Sequence, residues 1–577
     1  MANLLEHLQQ LITRLISCLE ARQEIPDFES DALIYADALL RRYCLSGETS
    51  FPRQLMVVGP TQSGKSSLVN LLLEEPLAEA SPLAGFTQHP QGFSTVALSE
   101  TQQLAITKQF PDWQQKQTLN AAEPLGYTLR TISSTDTSFS VPAIIWDSPD
   151  FDSVSSRNYR QRVPVLCAMA DLILLVVSRE KYADQSVWQL LRLIAPLHTP
   201  LLICLNKTTL EEAELLEREI RQRLKKEQIE ALDVISLPFV MGDEQLQATQ
   251  SATELRRAVS EQLGRRPQPF PANHLRQLLQ QHWPGWTETV RQEIAAGEIW
   301  QSLVEATIDE SIALYERDYL DNPHYSDTLQ RTLSRLLELI EIPGIAGGLV
   351  KARELLSWPA RKLQAIYRHR SGKSASTSPD HEISVLTDAV NHLLLRLQRE
   401  IGEQTISGQN VPLWWQSLLN QFSSERQTIE TQALETAKHH QKLFESEIEN
   451  ASQRLFIHLQ KHPTTLNSLR AARVTADAAA LAFALKTGGI GLNDLILAPA
   501  MLSFSTLLTE GALGRYMFTV EQDLKAIQLK AVREQLFADV LKRTLLELPE
   551  NLSAPGLCRI DQQQLFAAES ELEALRQ

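Results

Sequence analysis

Apolar residues follow two regimes along the chain. Between residues 55 and 240 they form short unbroken runs: Leu55-Met56-Val57-Val58, V-P-A-I-I-W-D from Val141 to Asp147, D-L-I-L-L-V-V-S from Asp171 to Ser178, and P-L-L-I-C-L-N-K from Pro200 to Lys207. Continuous runs of this length, without alternation, predict strands buried on both faces of a parallel sheet. Val234 to Val240 supplies a last strand, and helical stretches such as Gln185 to Ala195 and Glu211 to Gln228 fall between the runs. The alternation predicts an α/β domain with a mainly parallel sheet and helices on both faces.

Outside this region the periodicity is helical. Leu4, Leu5, Leu8, Leu11, Ile12, Leu15, Ile16 and Leu19 make one apolar stripe, and a second helix is expected from about Glu29 to Tyr43. Two such helices are too short for a core and must pack on something later in the chain. From Pro271 to Gln577 no strand is expected, and helices are expected at His274 to Gln281, Glu288 to Ile340, Glu382 to Glu403, Leu413 to Lys461, Leu466 to Leu485 and Glu521 to Leu548. The predicted domains are therefore 1–48 (helices packing on the helical region), 49–266 (the α/β domain) and 267–577 (a long all-α region).

Two apolar segments, 340–351 and 476–517, interrupt the helical region. Neither has the roughly 18 to 20 uncharged residues of a membrane span, because Lys486 and Asp494 break the second and Pro499 bends it. Each reads either as bundle core or as an element dipping into a bilayer interface. Lys351, Arg353, Arg361, Lys362, Arg368, Arg370 and Lys373, with Trp358 and Tyr367 among them and Glu354 as the one acid, suit an anionic lipid surface or a solvated helix face. Trp414 and Trp415 are expected in the core. The polar run Arg370 to Asp380 is a linker, and its S-G-K-S lacks the preceding glycine and strand of a phosphate loop.

Charge and composition narrow the function. The net charge of −15 argues against broad nucleic-acid binding, so no such partner is expected. The five cysteines are scattered without a C-x-x-C pair, which fits reduced thiols acting as small buried apolar residues and gives no metal site. The first residues lack the basic start and apolar core of a secretory signal.

The chemistry lies between the first strand and the next helix. Gly59-Pro60-Thr61-Gln62-Ser63-Gly64-Lys65-Ser66, followed by Ser67, is a G-x-x-x-x-G-K-S loop. Its glycines let successive backbone N–H groups face phosphate oxygens, and the helix from about Lys65 to Leu73 adds its positive end. Lys65 is placed to reach the β- and γ-phosphates and Ser66 to ligate Mg²⁺. Ser81 to Ser94 reads as a loop, where Thr87 is the candidate Mg²⁺ ligand and γ-phosphate sensor, with Ser94 or Thr95 as substitutes. His89 reads as a loop histidine without a catalytic role. Asp147, at the end of an apolar strand, is the candidate support of the metal, through water or Ser66.

The order G-P-T-Q-S-G-K-S, Thr87, D-S-P-D and N-K-T-T, from Phe51 to Arg265, resembles the translation-factor class of P-loop GTPases. The resemblance implies GTP/GDP with Mg²⁺, and Asn206 and Lys207 framing the base. Two departures stand out. Asp150 occupies the glycine of D-x-x-G: its backbone N–H remains available to the γ-phosphate, but its acid beside that phosphate is unfavourable. Thr209 replaces the guanine-reading Asp of N-K-x-D, so GTP over ATP is the favoured but weakened choice. Phe151 stands where small signalling GTPases place a water-orienting Gln. Catalysis then falls to Gln62 or to a group from a second molecule, which implies slow hydrolysis alone and faster hydrolysis on self-association.

A GTPase core flanked by helices, with an apolar element in the helical part, resembles the bacterial dynamin-like proteins in architecture, although the loop departs from the dynamin pattern at Thr61 and Gln62. That resemblance implies a cytoplasmic protein, peripheral on a membrane, that couples nucleotide state to self-association, or to a related GTPase, and to membrane binding or remodelling. Two alternatives stand beside it: a soluble regulatory switch whose helical region binds a protein partner, and a scaffold with degenerate nucleotide binding, suggested by Asp150 and Thr209.

Overall fold

The computed structural model describes residues 5–22, 27–45, 51–78, 89–118, 126–132, 139–151, 162–240, 243–247, 249–266, 270–322, 325–340, 380–407, 412–464, 466–467, 470 and 512–575. The chain divides into two compact units, Met1–Ile294 with Pro555–Gln577, and Ala295–Ala554.

In the first unit, α1 (Glu6–Arg22) and α2 (Asp27–Leu45) precede β1 (Arg53–Val58) and α3 (Lys65–Leu73). There follow β2 (Gln91–Ser94), α4 (Glu100–Gln109), β3 (Gln114–Gln115), β4 (Gly126–Thr131), β5 (Ala143–Asp147), α5 (Arg162–Met169), β6 (Leu172–Ser178), α6 (Gln185–Ile194), β7 (Leu201–Thr208), α7 (Leu210–Glu227), β8 (Asp233–Pro238), α8 (Asp243–Gln247) and α9 (Gln250–Gly264). The strands form one sheet in the order β3-β4-β2-β5-β1-β6-β7-β8, parallel throughout except between β2 and β5.

Successive strand residues point to opposite faces, so the unbroken apolar runs feed two cores. Met56, Val58, Ile173, Leu175 and Val177 share one buried cluster with residues of α1, α2, α5 and α6. Leu55, Val57, Leu172, Leu174 and Val176 share the other with Leu68, Leu71 and Leu72 of α3 and Leu255 and Val259 of α9. Placing β1 between β5 and β6 puts the loop after it at the carboxyl ends of the sheet's central strands, where ligands of open α/β sheets bind.

Several expectations change. The last residues of the presumed loop Ser81–Ser94 form β2, and β3 and β4 extend the sheet beyond it. The helix α10 (Ala272–Tyr315) runs unbroken through Pro284, where a gap before Glu288 was expected. Its Leu275, Leu278, Leu279, Trp283, Trp286 and Val290 form one buried stripe, and that burial outweighs the roughly 3 kcal/mol cost of an interior proline. Through the same stripe the first compact unit extends to Ile294. The helix Gln562–Ala574 also joins the first unit: α1 packs on it, while α2 packs on α5 and α4 of the α/β domain.

Cys18 and Cys558, expected as reduced thiols, are joined by a disulfide with Cα atoms 5.2 Å apart. The buried Glu293 carboxylate fastens the same junction, accepting from Arg22 at 2.8 Å and from the Cys558 backbone N–H at 3.1 Å. Cys167 and Cys204 are free and fully buried, and burial pushes the Cys167 thiol up to about 12, so both serve as small apolar residues.

The second unit is helical, with no strand among its described residues. A π-helical turn, Glu316–Leu320, ends α10 and interrupts the helix expected from Glu288 to Ile340. Then come α11 (Ser326–Leu339), α12 (Asp380–Ser407), α13 (Pro412–Gln460) and α14 (Ala512–Ala531), the last continuing through π-helical Val532–Lys542 to Glu547. Phe444, Ile448, Leu455 and Leu459 recur at helical spacing along α13 and pack with Leu333 and Leu336 of α11 and Val520 and Leu524 of α14. Trp414 and Trp415 are buried. Residues 341–351 and 476–511 of the two apolar segments, and the basic stretch 351–373, lie outside the described residues. No described helix is long and apolar enough to cross a membrane.

Two stability predictions arise here. A Cβ on Gly402, inside α12, meets no atom of the described residues within 4 Å beyond its own helix backbone, so Gly402→Ala should raise stability by roughly 0.5–1 kcal/mol in chemical denaturation. Glu382 is buried and accepts hydrogen bonds from Tyr315 at 2.9 Å and Gln528 at 2.6 Å. Burial holds its carboxyl above the ordinary 4.5, against those two bonds and the Arg331 charge, which pull it down. The folded state therefore binds the proton more tightly than the unfolded chain. The associated stability is complete below pH 4.5 and is lost as pH rises through the folded value. Glu382→Gln keeps both hydrogen bonds and removes the charge. Its unfolding free energy should exceed that of the wild type at pH 7 and converge on it near pH 4.5; parallel pH profiles for the two proteins would refute this.

Candidate functional site

Asp147 pairs with Val57 in register, so the end of β5 lies beside the end of β1 and the loop that leaves it. Two glycines set that loop. A Cβ on Gly59 would lie 2.2 Å from the Val176 backbone oxygen of β6 and 2.7 Å from Ser63 Oγ, so only hydrogen fits. Gly64 has φ +94°, a left-handed conformation suited to glycine, and a Cβ there would lie 2.3 Å from Asn206 Nδ2. The helix α3 then starts at Lys65.

The Lys65 ammonium is buried and donates to the Gly59 carbonyl at 2.9 Å, the Pro60 carbonyl at 3.1 Å and the Asp150 carboxylate at 2.5 Å. The Ser66 hydroxyl donates to Asp147 Oδ2 at 2.7 Å. Asp147 is fully buried, and its other oxygen, Oδ1, has no hydrogen-bond partner among the described residues; neither has the buried Ser63 hydroxyl. Burial pushes the Asp147 carboxyl up to about 6, while the Lys65 charge and the Ser66 hydrogen bond pull it down. A hydroxyl and a carboxylate with an unpartnered oxygen are hard donors that fit Mg²⁺.

Asn206 and Lys207, at the end of β7, brace the loop from the other side. The Asn206 side-chain amide donates to the Ser63 carbonyl at 2.9 Å, and Lys207 Nζ donates to the Gln62 carbonyl at 2.8 Å. Lys207 reaches it from a left-handed backbone, φ 60°, its N–H bonded to Asn206 Oδ1 at 2.9 Å. Gln62 is exposed and also left-handed, φ 60°. Thr209 is the N-cap of α7, and Phe151 is buried. Pro60, Thr61 and Ser67 lie in the loop and the first turn of α3.

Thr87 lies outside the described residues. Its substitutes are engaged with main chain: the Ser94 hydroxyl donates to the Val96 carbonyl at 2.7 Å, and Thr95 Oγ1 accepts from the Ala143 N–H at 2.9 Å. His89 lies in the loop before β2, as expected, and is buried there, with Nδ1 2.8 Å from Arg162 Nη1 at the start of α5. No local pattern in the sequence marks Arg162. Asp150, expected to act through its backbone N–H, has its carboxylate on Lys65.

Residues 54–207 match the family model described as 50S ribosome-binding GTPase. No curated protein matches the chain. Among solved structures, Era in complex with MgGDPNP and part of 16S ribosomal RNA is similar at 17% identity with a TM-score of 0.25, over 39% of this chain and 60% of that one. Era of Aquifex aeolicus bound to GDP and AlF4⁻ is similar at 17% identity with a TM-score of 0.26, over the same shares. A member of an oligomerised bacterial dynamin pair, described as sensing and tethering membranes, is similar at 12% identity with a TM-score of 0.30, over 96% of this chain and 94% of that one. The sheet that carries the loop, and the family match that spans it from Gln54 to Lys207, make this part of the chain a P-loop GTPase domain.

Proposed function

We propose that the protein binds GTP and GDP with Mg²⁺, hydrolyses GTP, and couples nucleotide state to self-association and to peripheral binding of an anionic membrane surface, as a dynamin-like GTPase of the cytoplasm. The observation that carries the nucleotide reading is the convergence of Lys65, Ser66 and Asp147 on one side of the loop with Asn206 and Lys207 on the other. Lys65 and the loop N–H groups would hold the phosphates, Ser66 and Asp147 would hold Mg²⁺, and Asn206 and Lys207 would frame the base. When bound, the ion supplies charge neutralisation at the β- and γ-phosphates. Thr87 is proposed as the γ-phosphate sensor, and Gln62, or a group from a second copy, as the water-orienting element. The membrane half is supported by the cluster of seven Lys and Arg between 351 and 373 beside an apolar segment, and by the long helices of the second unit.

The test is displacement of a fluorescent GTP analogue by GTP or ATP, with and without anionic liposomes. With Thr209 offering a hydroxyl in place of a carboxylate, GTP should compete roughly tenfold better than ATP, about the contribution of one or two neutral hydrogen bonds. Turnover per molecule should rise with protein concentration, and the protein should float with the liposomes when GTP is bound. Equal competition by the two nucleotides would remove the guanine assignment. The net charge of −15 favours a second reading, a soluble switch that binds a protein partner. Absence from floated liposomes in both nucleotide states would select it.

A further inference from the structure

The Lys65 ammonium carries three hydrogens and has three acceptors among the described residues, the Gly59 and Pro60 carbonyls and the Asp150 carboxylate. A phosphate oxygen can take one of those hydrogens only by replacing an acceptor. The two carbonyls belong to the loop itself. Gly59 is locked against Val176 of β6, and the Pro60 carbonyl also accepts from the Ser63 N–H at 3.3 Å. Asp150 lies outside the loop, two residues past Ser148, whose N–H donates to the Val57 carbonyl at 3.2 Å, and it is the one anion of the three.

Charge selects the same group. The Lys65 and Asp150 side chains are 4% and 8% exposed, so their ion pair is nearly water-free. A phosphate entering beside two carboxylates, Asp147 and Asp150, would face like charges at close range in a low-dielectric site. Replacing Asp150 by phosphate leaves Lys65 paired and returns one carboxylate to water. The neutral carbonyls offer no such relief. Glycine, the D-x-x-G residue at this position, has no side chain to form the pair.

We propose that the Asp150 carboxylate competes with the nucleotide phosphate for Lys65, so that binding expels it and Asp150 sets the affinity of the site. The proposal rests on the nucleotide reading above. Phosphate binding here is an exchange of one anion for another, and the site holds nucleotide more weakly than the same loop would with glycine at 150.

The experiment measures binding of fluorescent GTP and GDP analogues, with Mg²⁺, to the full chain and its Asp150→Asn and Asp150→Gly variants, with nucleotide-free thermal unfolding of each. Asparagine keeps the shape and removes the charge, so it stands if the glycine variant fails to fold. Both variants should bind at least tenfold more tightly than the wild type while melting at lower temperature without nucleotide. The two readouts move in opposite directions, which a merely structural role for Asp150 would not produce. Variants that bind no better than a wild type whose own binding is abolished by Lys65→Ala would overturn the competition alone. No binding by wild type or variants would overturn the nucleotide reading and the competition together.

Discussion

Lys65→Ala should lose nucleotide affinity by at least a hundredfold, about 3 kcal/mol, and should destabilise the nucleotide-free domain as well. Both effects follow from one buried ammonium. Removing it takes away the cation that meets the phosphates. It also leaves the Asp150 carboxylate, 8% exposed, without its ion-pair partner and near a fully buried Asp147. Breaking one side of a buried pair costs roughly 3–5 kcal/mol because the remaining charge stays desolvated. The Gly59 and Pro60 carbonyls lose a donor too. A second substitution separates the two contributions. Lys65→Ala with Asp150→Asn should recover most of the stability and none of the binding. Denaturant unfolding and titration with a fluorescent GTP analogue read both. Affinity within threefold of wild type would deny Lys65 a place at the phosphates, and unchanged stability would mean that the pair is open to water in solution.

Gly59→Ala is expected to be the next most damaging change. The added methyl would stand 2.2 Å from the Val176 carbonyl oxygen, a backbone atom in the middle of the sheet that has no rotamer by which to move away. The loop must shift instead, and forcing extra volume into a packed site costs roughly 1–3 kcal/mol. The shift would propagate. The Gly59 carbonyl bonds Lys65, and the same added methyl would press on Ser63, whose carbonyl holds Asn206. Nucleotide affinity should therefore fall with stability, by at least tenfold in the same titration. Gly402→Ala, where open space surrounds the new methyl, should move stability the other way. If the two variants shift stability alike, steric conflict at Gly59 is not what demands glycine there.

Much of the α/β domain is legible in its local patterns. Unbroken apolar runs become β1, β5, β6 and β7 because a strand buried on both faces needs apolar residues at every position. The loop Gly59–Ser66 is legible because glycine, lysine and serine at fixed offsets do a job set by backbone geometry. The edge of the sheet is not. Gln91–Ser94 carries no strand signal by itself. It becomes β2 because it pairs with β4 and β5 on either side, and because Gly92 admits the Trp146 ring, which would lie 2.9 Å from a Cβ at that position. Pro284 predicts a break that tertiary burial overrides.

The mainly parallel sheet, the phosphate loop and the helical character of the rest are written in spacings of a few residues that backbone geometry reads directly. Which distant groups meet is settled by the folded arrangement of the chain. Lys65 finds Asp150, His89 finds Arg162, Ser63 finds Asn206, and Cys18 finds Cys558 across 540 residues. Such pairings depend on how strands order within the sheet and on where the chain returns to it. No local periodicity carries that information, because the contact energy is realised only once both segments are in place.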